Sequence, residues 1–297
     1  MIKKYYAVYS DAVGKIKHRK YEYTNIDGFM YIFTEGFFNG DIRKAQQIYW
    51  KEILLRAHFA AVTSLIRNEK WLTGVIMGIS TRNLMVFSSS LRGFLESTAD
   101  SFFSLESLPT SLALNFKNIN LAIKGELNQF FVNDDIESRL IHYQFAKRGK
   151  KGVDEKSSIA HTNAEYINDF DINKIGIRDL YAELCEVTHP AANSVKCFTQ
   201  EKIISERYSY LVTSTEADYD VISEIITEYS NQIEYLLKGG ISLYCICLKI
   251  LTLFDFEDIH SEYINESIFE SILNKNAWNE VLEMIDKGQK YLDEHEC

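Results

Sequence analysis

Pro109 and Pro190 are the only prolines in 297 residues, and only 14 residues are glycine. Proline removes a backbone donor and breaks helices, and glycine weakens regular segments by its conformational freedom. A chain with so few breakers sustains long segments, but it lacks the punctuation that a many-stranded sheet needs at its turns. The expected fold class is therefore all-α: a multi-helix bundle with long helices, with two lobes as an open possibility. At 46% hydrophobic and 25% charged residues the chain has ordinary globular composition, and its length supports a large core.

Hydrophobic periodicity divides the chain into residues 1–40, an aromatic-rich N-terminal segment with poor periodicity, and residues 41–297, the helical bundle. The N-terminal segment reads as irregular structure or a short helix. Asp41 is placed to cap a long helix on which Ile48, Leu55, Phe59, Val62 and Ile66 recur at helical spacing. A break is expected between Trp71 and Ser80. The next helix, 81–105, gathers Leu84, Phe87, Leu91, Leu95, Thr98 and Phe102 on one face. Pro109 suits a helix start, and Asp134 or Asp135 is the expected cap of a later helix. Residues 147–174 are polar, contain Gly149 and Gly152, and read as a loop insertion. A helix follows from about Ile175 to His189. Residues 194–215 are ambiguous between helix and strand, and helices are expected at 216–238, 240–255 and 266–293.

The net charge of −10 opposes binding to nucleic acid or anionic membranes unless charge is locally segregated. Two basic stretches, "KIKHRKYEY" (15–23) and "KRGKKG" (147–152), keep RNA open as a partner, because basic groups beside aromatics suit single strands. The five cysteines, Cys185, Cys197, Cys245, Cys247 and Cys297, are odd in number and without repeated spacing. With no signal-peptide pattern at the N-terminus, the chain reads as reduced and cytoplasmic. The most apolar run, 241–254, is shorter than the roughly 20 residues that span a bilayer and reads as a buried helix, so no membrane association is expected. No nucleotide, zinc-protease or serine-hydrolase motif is present, and no cofactor is implied. Cys185 and His189 with Cys197 or His161 fall short of a zinc pattern, so no metal is expected.

Two groups of residues are candidates for chemistry. On helix 175–189, Ile177, Leu180, Tyr181, Leu184 and Val187 form the expected buried stripe, while Arg178, Cys185 and His189 share another. Arg178 and His189 are eleven residues apart, about 16 Å along the axis, so one monomer cannot bring both to one substrate atom. Pro190 disfavours the α conformation at His189, and a histidine in a last helical turn suits the helix dipole. His189 is thus first a helix terminator, and any chemistry there must recruit partners from another helix or a second subunit. The second group, Arg92, Glu96 and Asp100, steps along one helix at four-residue spacing. It reads either as an ion-pair face or as a polar patch that binds a ligand or an RNA phosphate through Arg82 or Arg92. His189, Arg178, Arg92 and Glu96 are the candidate catalytic residues.

"LRGFLES" (91–97) followed by "LYAELCEVTHP" (180–190) resembles a pattern in bacterial helical proteins, in which an Arg-x-x-x-Glu helix precedes a Tyr-x-x-Leu-x-x-x-x-His-Pro helix. Such proteins are similar to the HEPN superfamily, helical bundles that are often ribonucleases of toxin, anti-phage and CRISPR systems. The resemblance rests on about 25 residues within 80–200. It implies a helical bundle, pairing into dimers, and a bacterial defence or stress context. HEPN ribonucleases carry Arg-x(4–6)-His near the start of a helix. Here Arg178 and His189 have ten residues between them, so the ribonuclease motif does not carry over. Three functions follow: a ligand-sensing or partner-binding protein of a defence or stress system, acting through a protein partner or a homodimer; a metal-independent ribonuclease or toxin with a displaced Arg and His set; or a structural subunit of a larger complex.

Overall fold

The computed structural model describes residues 1–16, 20–21, 42–148, 159–190, 192–214 and 216–295. The chain is all-α, with one small antiparallel hairpin. In chain order the elements are α1 (Ile2–Lys15), α2 (Ile42–Ser80), α3 (Leu84–Leu105), α4 (Leu108–Leu114), α5 (Phe116–Lys124), α6 (Asp134–Phe145), α7 (Asn163–Phe170), α8 (Ile177–Thr188) and α9 (Ala192–Lys196). Strands β1 (Thr199–Ser205) and β2 (Tyr208–Thr213) come next. Then follow α10 (Ala217–Glu228), α11 (Ser230–Leu251), α12 (Ser267–Glu270) and α13 (Lys275–His295). The expected cap at Asp41 and most of the aromatic segment before it lie outside the described residues, as do 149–158 of the polar insertion.

The helices form two compact units, each drawn from three stretches of chain. The first comprises residues 1–11, 66–100 and 162–239, and the second 12–65, 101–161 and 240–297. Residues 240–251 of α11 are almost fully buried, and no described helix is long and apolar enough to cross a membrane.

In the first unit the end of α2 and the start of α3 form a close helical hairpin, and here the structure corrects the sequence reading. α2 runs unbroken to Ser80, and the chain turns only at Thr81–Asn83, where Arg82 takes φ 53°. The glycines between Trp71 and Ser80 are contact points, not breakers. A Cβ on Gly74 would meet Ser90 Oγ at 2.3 Å, and one on Gly78 would meet the backbone nitrogen of Phe87 at 2.4 Å. One on Gly93 would meet the Trp71 ring at 2.7 Å. Backbones this close require the missing side chain. A polar ladder continues the contact: Arg67 pairs with Asp100 at 2.7 Å and donates to the Ser97 carbonyl, and Asn68 donates to Thr98 Oγ1. Asn83 caps α3 by accepting from Val86 N, and Asp218 accepts from Leu84 N.

In the second unit Trp50 is fully buried, stacks on Phe131 at 4.9 Å and donates its indole N–H to the Phe131 carbonyl. The buried face of α2 there is Tyr49, Trp50, Ile53, Leu54, Ala57, Ala61 and Leu65. Of the expected stripe Val62 is buried, whereas Ile48, Leu55, Phe59 and Ile66 are only half-buried, so most of that stripe sits about one residue off the buried face. The cap of α6 is Asn133, which accepts from Ile136 N, and not Asp134 or Asp135, which sit in the first turn. The asparagine takes the extended backbone that a cap requires, and the aspartates complement the helix dipole one step later. Helix α13 packs on α4 and α5, where Gly288 lets the Leu114 carbonyl approach.

Two further expectations change. A capping box between Thr162 and Glu165 starts α7 inside the stretch expected to be loop. The expected boundary near Gly239 is absent, because α11 runs through Gly239 and Gly240, and the break falls at Tyr229 instead. Paired glycines cost a helix about 2 kcal/mol in propensity, which burial of the following apolar turns outweighs.

Candidate functional site

The candidate residues lie in the first unit, on α3 and α8. Helix α8 is set by its ends. Gly176 holds φ 89° just before it, a conformation that favours glycine. Asp171, buried, accepts from the Ile175 and Ile177 amides, one of them an orphan donor of the first turn. At the other end His189 is extended (φ −95°, ψ 158°) and its amide closes the last turn on the Cys185 carbonyl. Pro190 thus ends the helix at His189, as its steric effect on the preceding residue predicts.

At that end α8 meets α3. Arg92 Nη1 lies 2.7 Å from Thr188 Oγ1 and 3.2 Å from His189 Nε2. Its Nε faces Glu96 at 3.6 Å. Tyr181 donates to Glu96 Oε1 at 3.1 Å, and Asn163 on α7 donates to the Tyr181 oxygen at 3.4 Å. A guanidinium can only donate, so in this contact Nε2 is the acceptor. The Tyr181 hydroxyl is pushed up to about 12, first by burial, with the Asn163 bond opposing and the Glu96 charge adding. It therefore remains a neutral donor at physiological pH.

The structure brings Arg92, Glu96 and His189 together. It leaves Arg178 apart, exposed in the first turn of α8. Asp100 is committed to Arg67, and Arg82 lies over the Tyr219 ring at 5.0 Å. Tyr181, expected in the buried stripe, is half-buried and belongs to the polar group, whereas Ile177, Leu180, Leu184 and Val187 are buried. Sequence reasoning missed Tyr181, Thr188 and Asn163 as members. The spacing Tyr181–Cys185–Thr188 was a usable signal, because it places three polar groups on one stripe of α8. As built, the group is an internally satisfied clasp: Arg92 has an acid, a hydroxyl and an imidazole, and Glu96 has two donors. Among the described residues no three His, Cys, Asp or Glu side chains converge as metal ligands.

A second feature follows α8 directly. After Pro190, α9 packs back on α8 and leads into the hairpin. Thr199 pairs with Thr213, Lys202 with Tyr210 and Ser205 with Tyr208, with an irregularity between Ile203 and Ser205. β-Branched and aromatic residues explain why this ambiguous stretch is a hairpin. Its register places Lys202, Tyr208 and Tyr210 on one face and Glu201, Ile203 and Leu211 on the other. Both faces are bare: Ile203 is 78% exposed, Tyr208 71%, and Ile204 and Leu211 68% each. Burying an isoleucine or leucine side chain is worth about 1.5–3 kcal/mol, so three of these residues leave roughly 5–9 kcal/mol unused. A lone two-stranded hairpin is also marginal in water, and among the described residues no further strand joins either edge.

Comparison with protein-family models, with curated proteins and with solved structures finds no match to this chain.

Proposed function

We propose that this chain is a helical partner-binding protein and that the hairpin Thr199–Thr213 is the element its partner covers. The observation that carries this reading is the exposure of Ile203, Ile204, Tyr208 and Leu211 on both faces of one short ribbon. Soluble chains scatter single exposed apolar residues, but a cluster of them marks an interaction surface. Free strand edges add the backbone complementarity used in strand addition. The resemblance of "LRGFLES" and "LYAELCEVTHP" to HEPN-like proteins supplies the context, a bacterial defence or stress system, and makes a second copy of the chain the first partner to test. The experiment places a photo-crosslinking residue at Tyr208 or at Leu211, with Ile172, itself 66% exposed, as control. Crosslinking in cells at the hairpin positions and not at the control supports the reading. Equal yields at all three sites remove it.

A second reading is favoured by one observation, the 3.2 Å approach of Arg92 to His189 across two helices. A metal-independent ribonuclease needs a cation to hold phosphate and an imidazole to move protons. The displaced set of Arg92 and His189 supplies both once Arg92 exchanges Glu96 for a phosphate. RNA cleavage that survives chelator and is lost in His189→Ala supports it. Intact RNA with the wild-type chain removes it.

A further inference from the structure

The second unit holds a cavity of about 390 Å³ lined by Tyr21, His58, Val62 and Ser261 among others. His58, on α2, is 1% exposed, and Ser261, just before the 3-10 turn Glu262–Asn265, is 3% exposed. Ser261 Oγ lies 2.9 Å from His58 Nε2, and the Tyr21 hydroxyl lies 2.8 Å from His58 Nδ1. The imidazole is thus held from both sides in one orientation, with a hydroxyl on each ring nitrogen. Hydroxyl nucleophile, imidazole base and a third group fixing the base is the arrangement that recurs in covalent acyl transfer on unrelated folds. Nothing in the sequence pattern marks it, because "DIHSEYI" around Ser261 is no nucleophile elbow. Tyr21 and Ser261 lie 37 and 203 positions from His58, and the three meet only in the folded unit.

We propose that Ser261 is an acyl-accepting nucleophile, His58 its general base and Tyr21 the positioning residue, and that the substrate is a small ester or thioester with an apolar acyl group. The cavity is the size of small-molecule sites. Ile16 and Val62 give it apolar wall, and Lys15, paired with Glu266, brings a cation to the same lining. Tyr21 accepts from Nδ1–H, which leaves the Nε2 lone pair for the serine. Ser261 Oγ forms a bond to the acyl carbon while its proton passes to Nε2. The bond from that carbon to the leaving oxygen or sulfur breaks, and the leaving group departs with the proton from Nε2. Water then attacks the acyl-serine, gives one proton to Nε2, and releases the carboxylic acid as Ser261 Oγ recovers that proton. A phenol in place of a carboxylate stabilises the imidazolium less, so turnover is slow compared with a complete Ser-His-Asp set.

The test is labelling of the full chain with an alkyl fluorophosphonate, read by intact mass and peptide mapping. The expected result is a single adduct on Ser261. It is lost in Ser261→Ala and slowed about a hundred-fold or more in His58→Gln, with circular dichroism melts showing that both variants fold. Tyr21→Phe lowers the maximal inactivation rate without changing the probe concentration at half-maximum, a split that loss of packing does not produce. Wild-type protein that melts normally and keeps Ser261 unmodified in excess probe overturns the proposal, whatever the variants do. So does a His58→Gln rate equal to wild type.

Discussion

Replacing Gly78 by alanine puts a methyl carbon 2.4 Å from the Phe87 nitrogen, 2.6 Å from its Cα and 2.7 Å from its Cβ. Ordinary contact starts near 3.4 Å, so the α2–α3 hairpin must open by about 1 Å, and no side-chain rotation relieves a clash with backbone. Overpacking of this kind costs about 1–3 kcal/mol, and a backbone contact belongs at the upper end. Alanine recovers about 1 kcal/mol of helix propensity. The net expectation is a loss of about 1–2 kcal/mol, read as a melting temperature lower by a few degrees in calorimetry or circular dichroism. Gly14→Ala is the control, because it lies in α1 and, beyond its chain neighbours and its own helix backbone, no atom of the described residues comes within 4 Å of the added carbon. There only the propensity gain operates, about 0.5–1 kcal/mol of stabilisation. Gly93→Ala falls between, since its neighbour is the ring of Trp71, itself 40% exposed and free to swing outward. A Gly78→Ala protein that melts with or above the wild type overturns the contact role of this glycine and makes it a tolerated breaker.

Arg92→Ala is expected to cost about 1 kcal/mol, because the pair with Glu96 is only partly buried while Thr188 and His189 lose a donor; the NMR signals of the His189 ring should shift with it. Burial raises the Glu137 carboxyl above its ordinary value near 4.5, against the lowering effect of the Tyr49 hydroxyl. The folded state therefore favours the protonated form. Its contribution is present below about pH 4.5 and is lost as pH rises through the folded value. Glu137→Gln should accordingly melt like wild type under acid conditions and gain stability relative to it at neutral pH. Native alkylation followed by mass mapping should leave Cys245 and Cys247 unmodified. Both are fully buried, and burial pushes Cys245 up to about 12 and Cys247 higher still; modification as fast as that of half-buried Cys185 and Cys197 contradicts this.

Local physics carried the elements that are strongly periodic or sharply punctuated. The face of α3 is buried as expected from Leu84 to Thr98, with Phe102 at its end only half-buried, and α8 stops at the residue that Pro190 marks. Helices separated less cleanly were misjudged where glycine has two meanings. Gly74 and Gly78 look like breakers in one dimension and are contact points in three, and Gly239–Gly240 sit inside a helix whose burial carries it through. Caps failed where several capping residues stand in a row, as at Asn133–Asp135, since only backbone conformation selects among them. For the clasp of Arg92 with His189, the distance along α8 sets Arg178 aside and sends His189 to another helix or a second subunit for its partners, and the fold supplies the helix of Arg92 and Glu96. Tyr181 was lost from it because an aromatic on an apolar stripe reads as core.

The class of fold and the ends of its clearest helices follow from interactions within a few residues: missing breakers, a 3.6-residue period, and the steric reach of a proline. Which residues meet depends on how the helices pack. Arg92 and His189 are 97 positions apart, and His58 and Ser261 are 203, and no local energy term couples such pairs until the helices that carry them are packed. The exposure of the hairpin is of the same kind: Ile203 and Leu211 are apolar in the sequence, and that they face solvent is a property of where the ribbon stands in the fold.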